Sequence, residues 1–410
     1  MTRQPCRFCS TPLAHTFVDL GLTPLANAYI KPDRAGNPDE AYPLRAFVCS
    51  QCWLVQAEAF ASPQEIFSDY AYFSSFSDSW VEHARRFAAS AVDRFGLNWD
   101  SQVIEVASND GYLLRHFIAR GIPALGIEPA RNVAEVARAA GVPTECRFFG
   151  MDVAADLKRQ GFLADLVVGN NVLAHVPDIN DFVGGLAAIL KPDGVVSLEF
   201  PHLLKLIANI QFDTIYHEHF YYLSLLAVDK VLARHGLAVF DVEELPTHGG
   251  SLRVMAALAT SRAHTATKSV AKVRAKERNA GLTEIATYQA FQDSIAPVKE
   301  RLLAFLKTAK EGSRTVAAYG AAAKGNTLLN FCGIGTDLID YVVDRSPHKQ
   351  GHLLPGSRLP IHPPEMLAKT HPDYVLILPW NIGSEIISNN DISGWGGRFV
   401  IAVPELAILA

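Results

Sequence analysis

The chain has 410 residues, 49% of them hydrophobic and 19% charged, and 37 Lys+Arg against 42 Asp+Glu leave a formal charge of −5. That length exceeds one ordinary core and implies two or three domains, and the lack of charge blocks, repeats and low-complexity tracts excludes disorder. A mild acidic excess offers no global attraction for nucleic acid or an anionic membrane; with no apolar leader in "MTRQPCRFCS" and no apolar run near the ~18 residues of a membrane helix, a cytoplasmic protein is expected.

Residues 1–65 carry two Cys-x-x-Cys pairs, "CRFC" (Cys6, Cys9) and "CSQC" (Cys49, Cys52). Each pair places two thiolates on a tight turn within reach of one ion, and two pairs complete a tetrahedral shell that suits zinc. The 39 intervening residues exceed the usual ribbon spacing, and neither pair has the βαβ context of a redox site. A closed four-thiolate site has no vacancy for substrate, so this zinc would staple the fold. Cys146 and Cys332 stand alone and read as small hydrophobes.

Residues 66–255 alternate apolar strands with helical patterns, as in "QVIEVAS", "GYLLRHFIARG", "PALGIEP" and "NVAEVARAAG", the signature of a doubly wound parallel sheet. In "VIEVASNDGYLL" an apolar strand ends near Glu105 and runs into a small-residue loop, Ser108, Asn109, Asp110 and Gly111, before a helix. Glu128 follows at the end of the next strand, where a carboxylate can take both ribose hydroxyls of an adenosine cofactor. The loop lacks the glycines a pyrophosphate needs, which favours S-adenosylmethionine (SAM), a cofactor with no phosphate, over a nicotinamide dinucleotide. Downstream, "ADLVVGNNVLAHVPD" places Asn170 and Asn171 at a strand end and "LKPDG" turns into another strand. This order closely resembles class I SAM-dependent methyltransferases.

Residues 256–410 open with long helical sequence and continue as a second alternating series, "RTVAAYG", "AAAKGNTLLNFCG", "IDYVVDRS" and "PDYVLILPW". A smaller doubly wound α/β domain is expected there.

The four-cysteine module, "SNDG", "YHEHF", "HGGSLRV" and "AYGAAAKGNTLLN" together resemble the nucleotide-sugar C-methyltransferase family, whose members act at C-3 of 4-keto-deoxysugars on the way to branched sugars. The resemblance spans nearly all the chain. It implies an N-terminal zinc module, a central Rossmann-like SAM domain and a C-terminal domain that shares the nucleotide sugar, commonly a thymidine diphosphate sugar, with the central one. By motif position the implied active-site residues are Tyr70, His175, Tyr216, Glu218 and His219, with Tyr72 two residues from Tyr70.

Methylating carbon requires a carbanion, which a hexose supplies only where a ketone acidifies the adjacent C–H bond; a base and donors for the enolate oxygen are then needed. His219 is the expected base, Tyr216 and His175 the expected donors, and Glu218 an orienting group or hydroxyl acceptor. His217 and His219 would share one face of a strand at period two, which also admits a metal reading of "YHEHF", although such methylation needs no metal. His248, Gly249, Gly250 and Arg253 are read as substrate contacts with Arg253 near phosphate, and Lys324 and Asn326, at a helix start, as diphosphate ligands. Competing readings are O- or N-methylation of a nucleotide sugar and an RNA-modifying methyltransferase; the charge balance argues against nucleic acid as a partner. The oligomeric state is left open.

Overall fold

A computed structural model of the chain describes residues 4–60 and 73–409. Its strands form sheets of four, seven and six members.

In the N-terminal sheet, β1 (His15–Pro24), β2 (Ala41–Val48) and β3 (Val55–Ala57) pair antiparallel. A register shift between Thr16 and Val18 makes Phe17 an extra residue, so Phe17 and Val18 both point inward and are fully buried. The fourth strand is borrowed from far along the chain, Tyr221–Tyr222 pairing with Gln56 and Val55.

The central domain begins with α1 (Asp78–Phe95), whose N-cap Ser77 accepts from the Trp80 amide and whose C-cap Gly96 adopts φ 62°. There follow β4 (Val103–Val106), α2 (Leu114–Ile118), β5 (Ala124–Ile127), α3 (Arg131–Ala139), β6 (Thr144–Glu145), α4 (Met151–Arg159), β7 (Ala164–Asn170), α5 (Ile179–Ile189), β8 (Leu190–Pro201), α6 (Leu203–Ala208), β9 (Tyr221–Tyr222), α7 (Leu225–Arg234), β10 (Leu237–Leu245) and β11 (Ser251–Leu258). The sheet order is β10-β11-β8-β7-β4-β5-β6, parallel from β8 to β6, with β11 antiparallel to both its neighbours. Continuous burial along β4 and β5 accounts for the unbroken apolar runs of the sequence. Because the chain leaves β4 for β5 on one side and returns to β7 on the other, the carboxyl ends of β4 and β7 open a crevice.

The last third enters through α8 (Lys268–Asn279), α9 (Ile285–Gln289) and α10 (Phe291–Glu311). Its sheet comprises β12 (Val316–Tyr319), β13 (Val342–Val343), β14 (Ile361–His362), β15 (Tyr374–Ile377), β16 (Arg398–Ile401) and β17 (Ala407–Leu409) in the order β14-β13-β12-β15-β16-β17, parallel except for β17. The helix α11 (Ala323–Cys332) follows β12. The expected zinc module and two doubly wound sheets are thus present, and Phe17 stacking on Phe291 at 4.7 Å joins the first to the third. No helix among the described residues is long and apolar enough to cross a membrane.

The stretch 214–220 departs from its expected strand. His219 donates its amide to the Tyr216 carbonyl (2.9 Å) and its Nδ1–H to the Thr214 carbonyl (2.8 Å), which curls the backbone until residue 221 meets β3. His217 and His219 therefore do not share a face. His217 packs between Tyr42 and Phe60 and bonds the Pro43 carbonyl (3.2 Å), whereas His219 enters the crevice, so the two cannot chelate one ion.

Candidate active site

The Sγ atoms of Cys6, Cys9, Cys49 and Cys52 all lie within 4.8 Å of one another, with Cys6–Cys52 at 3.6 Å and Cys9–Cys49 at 3.5 Å. Zn–S bonds of about 2.3 Å in a tetrahedron put sulfurs roughly 3.8 Å apart, so the four thiolates fit zinc. Both pairs use the same turn: Ser10 bonds the Cys6 carbonyl, Trp53 bonds the Cys49 carbonyl, and each closes the turn at positive φ, 63° and 67°. Gln56 Nε2 donates to Cys6 Sγ (3.2 Å). With four protein ligands the site is closed and structural.

A cavity of about 720 Å³ opens at the carboxyl ends of β4, β5 and β7 and reaches the first turn of α11. On its cofactor side Ala107 (φ 56°) and Asn109 (φ 50°) hold the loop after β4 in a left-handed conformation that costs energy without glycine, a feature of ligand clamps. Glu128 lines the wall. Its two carboxylate oxygens accept from the Asn109 and Ala130 amides (2.9 Å each), and burial pushes its carboxyl up to about 7.

Asn170 and Asn171 also line this side. The other motif residues shape it from behind. Glu105 is fully buried outside the lining, with its carboxyl held well above the usual range by desolvation. Ser108 packs on Gly126, where a Cβ would lie 2.3 Å from its hydroxyl. Asp110 Oδ2 accepts from the Ser75 amide (3.1 Å), as Asn109 Oδ1 does from Ser74 (2.8 Å), and Gly111 turns at φ 79° against Val142. Side chains alternate along a strand, so a motif that names the loop does not make every member a ligand.

On the far side His175, Tyr216, Glu218, His219, His248 and Lys324 converge. The His219 ring lies 4.0 Å from Tyr216 and 4.7 Å from His175, centroid to centroid. Since a carbonyl can only accept, the Nδ1 contact with Thr214 fixes the proton on Nδ1 and leaves Nε2 as the basic nitrogen of the neutral ring. Burial, reinforced by His175, holds His219 well below the usual imidazole range. His175 is fixed the same way, Nδ1–H to the Glu218 carbonyl (2.8 Å), and burial lowers it to about 4. It is thus neutral with Nε2 an acceptor, which removes it from its expected role as a donor to the substrate oxygen. Glu218 accepts from Asn27 Nδ2 (2.8 Å), and burial raises its carboxyl to about 7. Tyr70 and Tyr72 lie outside the described residues.

Four expected substrate contacts are engaged elsewhere. Arg253 is buried in ion pairs with Glu199 (2.7 Å) and Glu243 (3.0 Å), over the Phe87 ring at 4.4 Å, and does not line the cavity. A β-strand guanidinium flanked by two carboxylates is committed to the fold. Asn326 faces the N-terminal module and donates to the Ala26 carbonyl (2.5 Å). Gly249 and Gly250 are packing glycines: added Cβ atoms would meet Trp380 at 2.4 Å and Lys205 at 2.7 Å. Their neighbour His248 does line the cavity, at φ 54°, accepting from Asn171 Nδ2 (3.0 Å).

Asn27, Lys349, Asp213 and Trp380 were missed by sequence reasoning. Asn27 lies 191 positions from its partner Glu218, a separation no local motif reveals.

Three family profiles cover the chain in order: "Putative zinc binding domain" over residues 6–67, "Methyltransferase domain" over 80–242 and "C-methyltransferase C-terminal domain" over 246–404. The C-methyltransferase NovU of Streptomyces niveus is 38% identical over 406 residues, 99% of this chain and 96% of that protein. Among solved structures, a SAM-dependent methyltransferase from Clostridium acetobutylicum shares 10% identity over 43% of this chain and 92% of its own, with a TM-score of 0.34. Magnesium protoporphyrin IX methyltransferase from Synechocystis, with bound SAM, shares 17% over 44% and 81%, with a TM-score of 0.33. These two likenesses are too partial to carry an argument, whereas the full-length identity is decisive. The chain belongs to the C-methyltransferase family and is a SAM-dependent C-methyltransferase with a zinc-binding N-terminal domain.

Proposed function

We propose that this C-methyltransferase methylates C-3 of a 4-keto-deoxyhexose carried on a nucleoside diphosphate, with thymidine diphosphate the expected carrier. The observation that supports it is His219, a buried neutral imidazole whose tautomer leaves Nε2 basic in a cavity continuous with the cofactor crevice. A saturated sugar carbon has no nucleophilic pair. A 4-keto group lets a positioned base release one.

SAM supplies an electrophilic methyl group on its sulfonium. Glu128, Asn170 and Asn171 are the residues that would hold it, and the strained turn at Ala107 and Asn109 lets backbone approach it closely. His219 Nε2 takes the C-3 proton. Tyr216 is the candidate donor to the keto oxygen, and Glu218, ordered by Asn27, accepts a sugar hydroxyl. The amino end of α11, where Ala322 lacks a side-chain cap, and the nearby Lys349 suit the diphosphate.

The test is a panel of 4-keto sugar nucleotides, labelled with deuterium at C-3, incubated with the enzyme and SAM. A mass gain of one methyl with loss of the label supports the proposal. Methyl gain with the label retained would mean O- or N-methylation and would overturn it.

A further inference from the structure

Removing the C-3 proton leaves negative charge on the 4-keto oxygen; His219, taking that proton on Nε2, gains the matching positive charge, but no resting imidazole of this cavity offers the oxygen a cationic donor. His175 and His219 have spent their Nδ1–H donors on the Glu218 and Thr214 carbonyls, and His248 is lowered to about 4 by burial, so all three are uncharged near neutral pH. Lys349, which donates to the Ala321 carbonyl (2.9 Å) and lies 3.6 Å from Asp344, is assigned above to the diphosphate beside the amino end of α11. Arg147, on the cofactor side, is paired with Asp156.

Lys324 remains. Thr327 Oγ1 donates to the Ile215 carbonyl (3.0 Å), docking α11 beside Tyr216, and Lys324 is one turn earlier on the same helical face. Its Nζ donates to Asn381 Oδ1 (2.6 Å) and lies 4.7 Å from the centre of the Trp380 ring. Trp380 in turn donates Nε1–H to Asp213 Oδ2 (2.7 Å) and touches Gly249, next to His248. Burial pulls Lys324 below the usual lysine range, and the buried Asp213 nearby offsets part of that cost without a hydrogen bond to it. An ammonium held this way keeps N–H donors for a ligand.

We infer that Lys324 is a catalytic residue that stabilises the enolate oxygen, and that it does not serve as the diphosphate anchor its helix-start position suggests. The inference rests on the C-3 enolate reading above. In the first step the C-3–H bond breaks and its proton passes to His219 Nε2. The bonding pair forms the C-3=C-4 double bond, and the carbonyl π pair moves to oxygen, facing the Lys324 ammonium. With SAM bound, the enolate pair would form the C–C bond to its methyl carbon as the S–CH₃ pair stays on sulfur and the carbonyl re-forms, and His219 would release its proton to solvent.

The test separates enolisation from binding. Enzyme saturated with S-adenosylhomocysteine, which has no methyl to transfer, is mixed with a 4-keto sugar nucleotide in D₂O, and entry of deuterium at C-3 is followed by mass spectrometry. Lys324→Met should slow exchange and kcat by about 10²–10³-fold, the loss typical of one oxyanion donor, with little change in sugar-nucleotide affinity. S-adenosylhomocysteine affinity checks its fold. Asn381→Ala, which frees the ammonium without entering the core, should lower exchange in the same sense. Weakened sugar-nucleotide binding with undiminished exchange at saturation, in either variant, would make Lys324 a phosphate ligand and overturn the inference alone. No exchange in the wild-type enzyme would remove the enolate itself, overturning both the inference and the reading beneath it.

Discussion

Asn27 reaches the active site from the zinc-binding domain, and its removal tests whether that contact sets the charge of Glu218. Asn27→Ala deletes the Nδ2 donor 2.8 Å from Glu218 Oε2 while the carboxyl stays buried at 3% exposure. A hydrogen bond to a charged group contributes roughly 1.5–3 kcal/mol, and each pKa unit corresponds to about 1.4 kcal/mol, so the carboxyl should rise by about one to two units. Glu218 begins at about 7, raised by burial and lowered by Asn27. A carboxylate is ionised above its pKa, so at pH 7 the charged fraction falls from about half to between a tenth and a hundredth. With the ionised carboxylate as the productive form, the acid limb of kcat/KM moves to higher pH, activity at pH 7 drops roughly 5–50-fold, and most of it returns in alkali. A pH profile of both proteins is the assay. An acid limb that does not move, or a loss equal at every pH, would refute this reasoning.

Glu277 accepts from the Leu225 and Leu226 amides at the start of α7 and from His202 Nε2, all in the core. Glu277→Ala strands two buried amides at about 1–3 kcal/mol each, which should lower the guanidinium unfolding midpoint well beyond a surface substitution; an unchanged midpoint would contradict it. Zinc removal by a strong chelator should abolish methyl transfer although no thiolate meets substrate, because β9 and Asn27 depend on the N-terminal sheet. Full activity in zinc-free protein, shown by metal analysis, would contradict that dependence. Glu128→Gln should weaken SAM binding by roughly 10–100-fold in calorimetry with little effect on sugar-nucleotide KM. Equal loss of both affinities would place Glu128 elsewhere in the mechanism.

Local pattern carried much of the fold. The Cys-x-x-Cys pairs revealed a closed metal site, and the apolar runs at 103–106 and 124–127 are the buried central strands they resemble. Long-range commitments were invisible. Arg253 in "HGGSLRV" looks like a free cation until Glu199 and Glu243, on neighbouring strands, are seen to take it. Asn326 reads as a helix-start ligand until α11 is placed against Ala26. His217 and His219 look equivalent at spacing two, yet the turn closed by the Thr214 carbonyl sends one to the N-terminal domain and the other to the cavity. Residue type named the candidates in "YHEHF" that the fold brings to the cavity lining as Tyr216, Glu218 and His219. Tautomer and orientation required the carbonyls of residues 214 and 218.

His219 as the base that makes the sugar carbon nucleophilic is the central claim, and deuterium exchange at C-3 by His219→Asn, with S-adenosylhomocysteine bound and its affinity confirmed, measures it directly. Loss of a general base predicts exchange slowed by about 10²–10⁴-fold relative to the wild-type enzyme. Exchange at the wild-type rate would contradict the claim and assign proton removal to another group.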